Sequence, residues 1–266
     1  MRVVVVGGSG FLGGELVRVL AAGGHTVVAT YLSRPGDFAG VEWVRVDVRD
    51  READYGLLPD VVVNAAYRQA DWETTALGGA NVALAAARAD ARLVHVSSDA
   101  VFSGKAVTYT EDSVPDPVTP YGAAKAAAEV AVQAIVPEAA VVRTSLIVGD
   151  GGSSHESFVR ALADGRQDGA LFTDVVRCPV HVADLAAALA ELVVAPRPGM
   201  HHVAGADAVS RYELGRLIAE RDGLDPAALP STARGEGPLD IRLDCAATQR
   251  HLRTRLRGAR EFLSGA

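Results

Sequence analysis

Cysteine is scarce: Cys178 and Cys245 are the only two among 266 residues. They lie far apart and form no CxxC, which excludes a disulfide framework and a thiolate zinc site. They read as reduced core thiols of a cytoplasmic protein. Positive charge is also short, with 26 Lys and Arg against 33 Asp and Glu and a net charge of −7. No basic run carries interleaved aromatics, so a nucleic-acid surface is not expected. The arginines from Arg250 to Arg260 alternate with Leu252 and Leu256, with Phe262 just beyond. That periodicity predicts a terminal amphipathic helix with a solvated face. No apolar run is long enough for a membrane span, and Val3–Val6 is too short for a signal peptide. Histidines and carboxylates do not cluster at ligand spacing. His201–His202 has no such partner, so no metal site is expected. His95 reads as a packed strand residue and His181 as a helix start. Repeats and low-complexity linkers are absent too.

What is present is apolar: 49% of residues, enough for a sizeable core. Short β-branched runs alternate with helical patterns. Val3–Val6, Thr26–Leu32, Val41–Val48, Asp60–Ala66, Arg92–Ser98 and Ala139–Gly149 read as strands. Helices are expected near Leu12–Ala21, over Asp71–Ala89 and after Pro120. Continuous valine runs mark strands buried on both faces, and strand–helix repetition then predicts a doubly wound parallel α/β sheet of Rossmann type. Beyond Gly149 the alternation loosens. Ser153–Asp164 and His181–Val194 look helical, "HHVAG" suits a strand, and Ser210 with Glu213 forms a capping box. Residues 1–150 are therefore expected to form a dinucleotide-binding domain, with a segment near 178–205 packing back onto it. Residues 151–266 would be mainly a smaller substrate-binding lobe.

The first strand runs straight into Gly7-Gly8-Ser9-Gly10-Phe11-Leu12-Gly13. Glycines there permit a tight turn and close backbone approach, and the following helix N-terminus faces a pyrophosphate. Position after the first buried strand is the context that this motif requires. The second strand ends in "ATYLSRPGD", where an NAD-binding chain would place an acidic residue. Ser33 and Arg34 stand there instead, and a hydroxyl beside a guanidinium suits a 2′-phosphate. NADPH is favoured over NADH, which stays open; the competing reading makes Arg34 a solvated loop residue.

Further along, "TPYGAAKAAAE" places Tyr121 and Lys125 on one helical face. Thr119 suits the N-cap and Pro120 the first helical position, while Gly122 and Ala123 are small enough to leave room for a cofactor. With the glycine turn, "DVR", "NAA", "SSDAVF" and YxxxK in order, the sequence resembles the extended short-chain dehydrogenase/reductases. Among these it is most similar to the dTDP-4-dehydrorhamnose reductase (RmlD-type) sugar-nucleotide reductases. The block "HVSSDAVFSG…YTEDSVPDPVTPYGAAKAAAE" carries most of that likeness, and "VVRTSLIVG" and "RCPVHVADLA" extend it. The second lobe matches weakly, chiefly through "IRLDCA".

The resemblance implies a catalytic Ser98, Tyr121 and Lys125, with Asn81 contributing to a proton relay. It implies cofactor contacts from the glycine turn (Gly7, Ser9, Gly10, Phe11, Leu12 and Gly13) and from Ser33 and Arg34. Asp47 and Val48 would flank the adenine, while Ala65, Ala66, Tyr67 and Thr144 would lie along the nicotinamide side. Ser98, Asp99, Ser145 and Arg177 would face substrate, and Phe158, Arg160, Phe172 and Arg242 are further candidates in the lobe. Free tyrosine titrates near pH 10 and is a poor acid–base group at neutral pH. Lys125 and an oxidised nicotinamide would favour phenolate and lower that value. The activity implied is reduction of a keto group, foremost that of a nucleotide-linked 4-keto-deoxysugar, with Tyr121 as general acid. Three alternatives stay open: a 4-epimerase holding NAD, a non-catalytic regulatory subunit, and a reductase of a small ketone. Ala100 leaves the Asp-Glu pair of the dehydratases incomplete and stands where the reductases carry tyrosine. A small-molecule partner is expected, and a homodimer is compatible with the sequence.

Overall fold

The structure is a computed structural model that describes residues 1–53, 55 and 58–264. Seven strands form one parallel sheet: β1 (Arg2–Val6), β2 (Thr26–Tyr31), β3 (Glu42–Arg45), β4 (Val61–Asn64), β5 (Arg92–Ser98), β6 (Ala140–Thr144) and β7 (Gly199–Val203). Their order is β7-β6-β5-β4-β1-β2-β3. The chain starts in the middle, winds to one edge, then returns and winds to the other. The valine runs account for this. Val3 to Val6 and Val61 to Val63 are at most 4% exposed, as strands covered on both faces must be.

One face is covered by α1 (Phe11–Ala22) and α5 (Val182–Val194), which pack Leu16, Leu20, Leu185 and Leu189 against β1 and β4. The other carries α2 (Gly78–Arg88) and α3 (Pro120–Ile135), through Val82, Ala86 and Val132. A third cluster lies outside the sheet, where Val159 and Leu162 of α4 (Ser154–Ala163) meet Leu214 and Ile218 of α6 (Arg211–Arg221). No helix among the described residues is long and apolar enough to cross a membrane.

Three local expectations need correction. The helix expected over Asp71–Ala89 begins with a π-helical turn, Glu73–Leu77, before α2. In the segment from Arg250 to Arg260 only Ala259 and Arg260 are helical, in the short Ala259–Leu263 turn. Side chains of α5 hold the rest in an irregular path: Glu191 accepts from the Arg253 and Thr254 amides (both 2.7 Å), and Asp184 pairs with Arg257 at 2.8 Å. Those bonds outweigh a helical periodicity that three apolar residues define. Ser210 does cap α6, accepting from Glu213 N at 3.0 Å. The Glu213 carboxylate turns instead to Arg260, 2.6 Å away. A full capping box occurs at Ser153 and Glu156, at the start of α4.

Candidate active site

The sequence-marked groups follow the carboxyl ends of the parallel strands, where a doubly wound sheet leaves its crevice. After β1 the chain turns at Gly7, whose φ of +81° disfavours a side chain. A Cβ there would come within 2.9 Å of the Ala66 backbone, and one at Gly13 would strike the Gly7 carbonyl. Thr30, buried at the end of β2, fastens the turn: its hydroxyl accepts from Gly7 N at 3.0 Å and its carbonyl from Ser9 N at 3.3 Å. Sequence reading missed Thr30, although a lone polar residue in a buried valine run is a signal.

Gly10 caps α1 without any side-chain bond, and no acidic residue lies in the first turn. The helix N-terminus, with its partial positive charge, is therefore open to an anion. Phe11 is partly exposed beside it, and its ring lies where a Cβ on Gly149 or Gly152 would come within 2.7 or 3.0 Å. Leu12 turns inward to the core. These features fit a dinucleotide: its phosphates meet free backbone donors, and glycines keep the backbone accessible.

Ser33 and Arg34 are exposed just past β2. Asp47 follows β3, with its carboxylate gripped by Arg49 (2.5 Å), which holds its pKa down at about 2. Val48 is buried against Gly78. Asn81 makes no hydrogen bond to Tyr121 or Lys125. Its amide donates to the carbonyls of Val48 (2.9 Å) and Arg49 (3.1 Å) and so braces the strand-3 loop.

Tyr121 and Lys125 project from the first turns of α3, capped by Thr119 through Gly122 N at 3.1 Å. Gly122 is small because the Ala100 carbonyl presses against it; that contact, not cofactor space, accounts for the glycine. Ser98 ends β5 beside Tyr121. The Ser98 Oγ also accepts from Ala100 N at 3.2 Å and donates to Asp99 Oδ1 at 3.3 Å. Tyr67 completes the group, its ring 5.9 Å from that of Tyr121 and 5.1 Å from Lys125 Nζ.

The electrostatics differ from the sequence expectation. Burial drives the Tyr121 phenol above its ordinary value, and the nearby Tyr67 and Asp99 push the same way; only Ser98 opposes them. Burial also pulls Lys125 down to about 8, against Glu129. Tyr121 is thus held as a neutral phenol. Lys125 Nζ donates to Val96 O at 3.0 Å, leaving further N–H groups. Among the described residues, the buried hydroxyl of Thr144, at the end of β6, has no partner.

The RmlD substrate binding domain family matches residues 1–263. The chain belongs to this family. Among its relatives, the spore coat polysaccharide biosynthesis protein SpsK of Bacillus subtilis is 33% identical over 248 residues, covering 89% of this chain and 84% of SpsK. The dTDP-4-dehydrorhamnose reductase of Mycolicibacterium smegmatis is 36% identical over 243 residues, 85% of this chain and 70% of its own. The crystal structure of a hypothetical dTDP-4-dehydrorhamnose reductase from Sulfolobus tokodaii superposes with a TM-score of 0.81 at 28% identity, covering 97% of each chain.

In this RmlD-family chain Asp99, just after β5, is 5% exposed. Ser145 donates to its Oδ2 at 2.7 Å, and Arg177 Nε lies 3.6 Å away. Burial nevertheless raises the Asp99 pKa. Arg177 is spent internally, donating also to the carbonyls of Val176, Pro238 and Leu239. Arg160 pairs with Asp222 and Arg242 with Asp240. Phe158 packs against the third cluster, and Phe172 lies 5.9 Å from the Arg234 guanidinium. Arg211, which the sequence did not single out, stands beside this group with His155. A cavity of about 630 Å3 between α1, α5 and residues 251–254 shares no lining residue with the cluster. Among the described residues no group of acidic, histidine or cysteine side chains could hold a metal.

Proposed function

We propose that this chain is an NADPH-dependent ketoreductase whose substrate is a nucleotide-linked 4-keto-deoxysugar. The observation that carries this reading is the convergence, at one sheet end, of an uncapped helix N-terminus with Ser98, Tyr121 and Lys125. The relative named as a dTDP-4-dehydrorhamnose reductase, 36% identical, supports the substrate class. A bound nicotinamide cofactor would supply the hydride. The chain's part is to orient the ketone and deliver a proton. Tyr121, neutral at pH 7, holds that proton on its phenol oxygen and gives it to the developing alkoxide. Ser98 can turn its hydroxyl toward the same oxygen and stabilise the charge as it forms. Lys125 offers an ammonium to the ribose hydroxyls and to the phenolate left after transfer.

Gly7, Ser9, Gly10, Phe11, Leu12 and Gly13, with Ala65, Ala66, Tyr67 and Thr144, form the proposed cofactor bed. Ser33 and Arg34 would take the 2′-phosphate, and Asp47 and Val48 the adenine side. Ser145 and Asp99 would line the substrate side. A cofactor-binding unit over residues 1–150 completed by β7, a substrate lobe over the remainder, and a cytoplasmic setting belong to the same proposal. The test is NADPH oxidation with dTDP- and GDP-4-keto-6-deoxysugars beside simple cyclic ketones. Turnover confined to the nucleotide sugars is expected; failure with every nucleotide sugar would remove the substrate class. Arg34→Ala should raise KM for NADPH about tenfold while leaving that for NADH unchanged, since one charge-assisted bond is lost.

A further inference from the structure

The last turns of α1 and α5, with residues 251–254, enclose the cavity of about 630 Å3, which has the size of an ordinary small-molecule site. It lies at the far end of α1 from the glycine turn. Its floor is Leu20 and Leu192, 1% and 2% exposed and part of the core under that face of the sheet. Val19, Val194 and Leu252 continue the apolar wall, and Ala187 and Ala190 leave open the space that longer side chains of α5 would fill. Val194 is 57% exposed, and apolar surface left to water favours a ligand that covers it. No Phe, Tyr or Trp lines the cavity. A nucleobase or aryl ring would find no aromatic face to stack on, whereas an alkyl chain packs on aliphatic walls without one.

The charged part of the lining is mainly cationic, in a chain whose net charge is −7. Arg197, Arg253, His25 and His251 stand against one carboxylate, Glu191. Its oxygens are already met by Arg253 N and Thr254 N, both at 2.7 Å, and by the Thr254 hydroxyl at 2.5 Å. Arg197 and Arg253 enter the hydrogen bonding through the Arg197 carbonyl and the Arg253 amide, and neither guanidinium makes an ion pair among the described residues. By contrast, Arg255, Arg257 and Arg260 of the same segment pair with Glu261, Asp184 and Asp207. Counting histidine as neutral, two arginines against Glu191 leave one positive charge. A monocarboxylate balances that charge, and a phosphate dianion would exceed it.

We infer that this cavity is a second ligand site and that its ligand is an aliphatic monocarboxylate. The alkyl chain lies on Leu20 and Leu192, and the carboxylate meets Arg197 and Arg253, whose planar N–H pairs suit it. The site is separate from the reductase site and does not depend on the substrate assigned there.

The test is calorimetric titration of the full chain with octanoate, beside acetate and 1-octanol, which keep only the charge or only the chain. Octanoate should bind one to one, and the other two at least about tenfold more weakly. Its binding should persist in protein saturated with NADP+. The double variant Arg197→Gln with Arg253→Gln should weaken octanoate about tenfold, the worth of two exposed charge contacts, and leave 1-octanol unchanged. Ala190→Phe, which fills the cavity, should abolish binding of both. Thermal midpoints equal to that of wild type would show that the variants fold, and the arginine variant decides alone if Ala190→Phe does not. Absence of octanoate binding to wild type, its displacement by NADP+, equal binding of acetate or 1-octanol, or an unchanged affinity in the arginine variant would overturn the inference.

Discussion

Tyr121 donates a proton only while it holds one, and its surroundings favour that state. Burial and the neighbouring Tyr67 and Asp99 disfavour phenolate, so the phenol is neutral across the physiological range. Tyr121→Phe keeps the ring packing and removes the proton. Expected is a fall in kcat of about 10²- to 10⁴-fold, the usual worth of a positioned acid, with NADPH affinity little changed. Steady-state kinetics beside cofactor titration would separate the two effects. Lys125 sets the alkaline limit. Its pKa is lowered to about 8 by burial, so the ammonium is present below that pH and lost above it. The reduction rate should hold from pH 6.5 to about 7.5, then fall about tenfold per unit well above 8. A profile flat to pH 10 would show that the lysine charge is not needed. Asn81 illustrates what sequence could not supply at this scale. An Asn in a helix after β4 is compatible with a relay, and only the fold shows both its N–H groups committed to carbonyls.

Helix α3 carries the acid, and a buried ion pair fixes it to the sheet. Glu129, one turn beyond Lys125, receives Arg143 of β6 through two bonds, 3.0 and 2.9 Å, and Ser97 of β5 at 2.5 Å. Glu129 and Arg143 are 2% and 3% exposed. Removing one partner strands the other, so Arg143→Leu should cost about 3–5 kcal/mol in urea unfolding. The double change Glu129→Leu with Arg143→Leu should cost less than Arg143→Leu alone. Equal or additive losses would show that the pair contributes through packing alone. The start of this helix was legible, because Thr119 and Pro120 are local signals that need no tertiary context. Its partner was not: Arg143 lies in a strand that reads only as an apolar run. The same limit explains the segment after Arg250. Three apolar residues at helical spacing suggested a helix, whereas Glu191 and Asp184, far away in sequence, decide the path. The π-turn at Glu73–Leu77 has no sequence signal that we recognise. Gly79 is better explained, since a Cβ there would come 2.9 Å from Ala128 where α2 crosses α3.

Across the whole molecule, most of the sheet was readable because β1, β4, β5 and β6 are almost continuously buried and the helices α1, α2 and α3 follow β1, β4 and β5. The parts outside the sheet were not, because they include two-residue strand pairs such as Ser231–Thr232 with Leu171–Phe172 and Arg242–Leu243 with Thr108–Tyr109. Such pairs are too short to leave a periodic pattern. The fold holds three histidines neutral, and their titration belongs to the folded state as a unit. Burial lowers His95 to about 3, His155 to about 4 and His202 to about 4. In the unfolded chain each would titrate near 6.5. Below that pH the unfolded state binds more protons than the folded one, so stability falls as pH falls. The window runs from about 6.5 down to about 4, and each histidine contributes up to about 1.4 kcal/mol per pH unit. Acting together the three would give a slope of about 4 kcal/mol per unit near pH 5. Asp99, whose pKa is raised, works in the opposite sense there and trims the slope. Glu156 and Asp222, whose values are lowered, add to it only at the acid end. Unfolding free energies measured in urea at pH 7, 6 and 5 should therefore drop steeply between the last two. In His202→Leu that drop should shrink by about one third, because one of three titrating groups is gone. A free energy that stays level from pH 7 to 5 would mean that these rings are charged, or solvated, in the native protein.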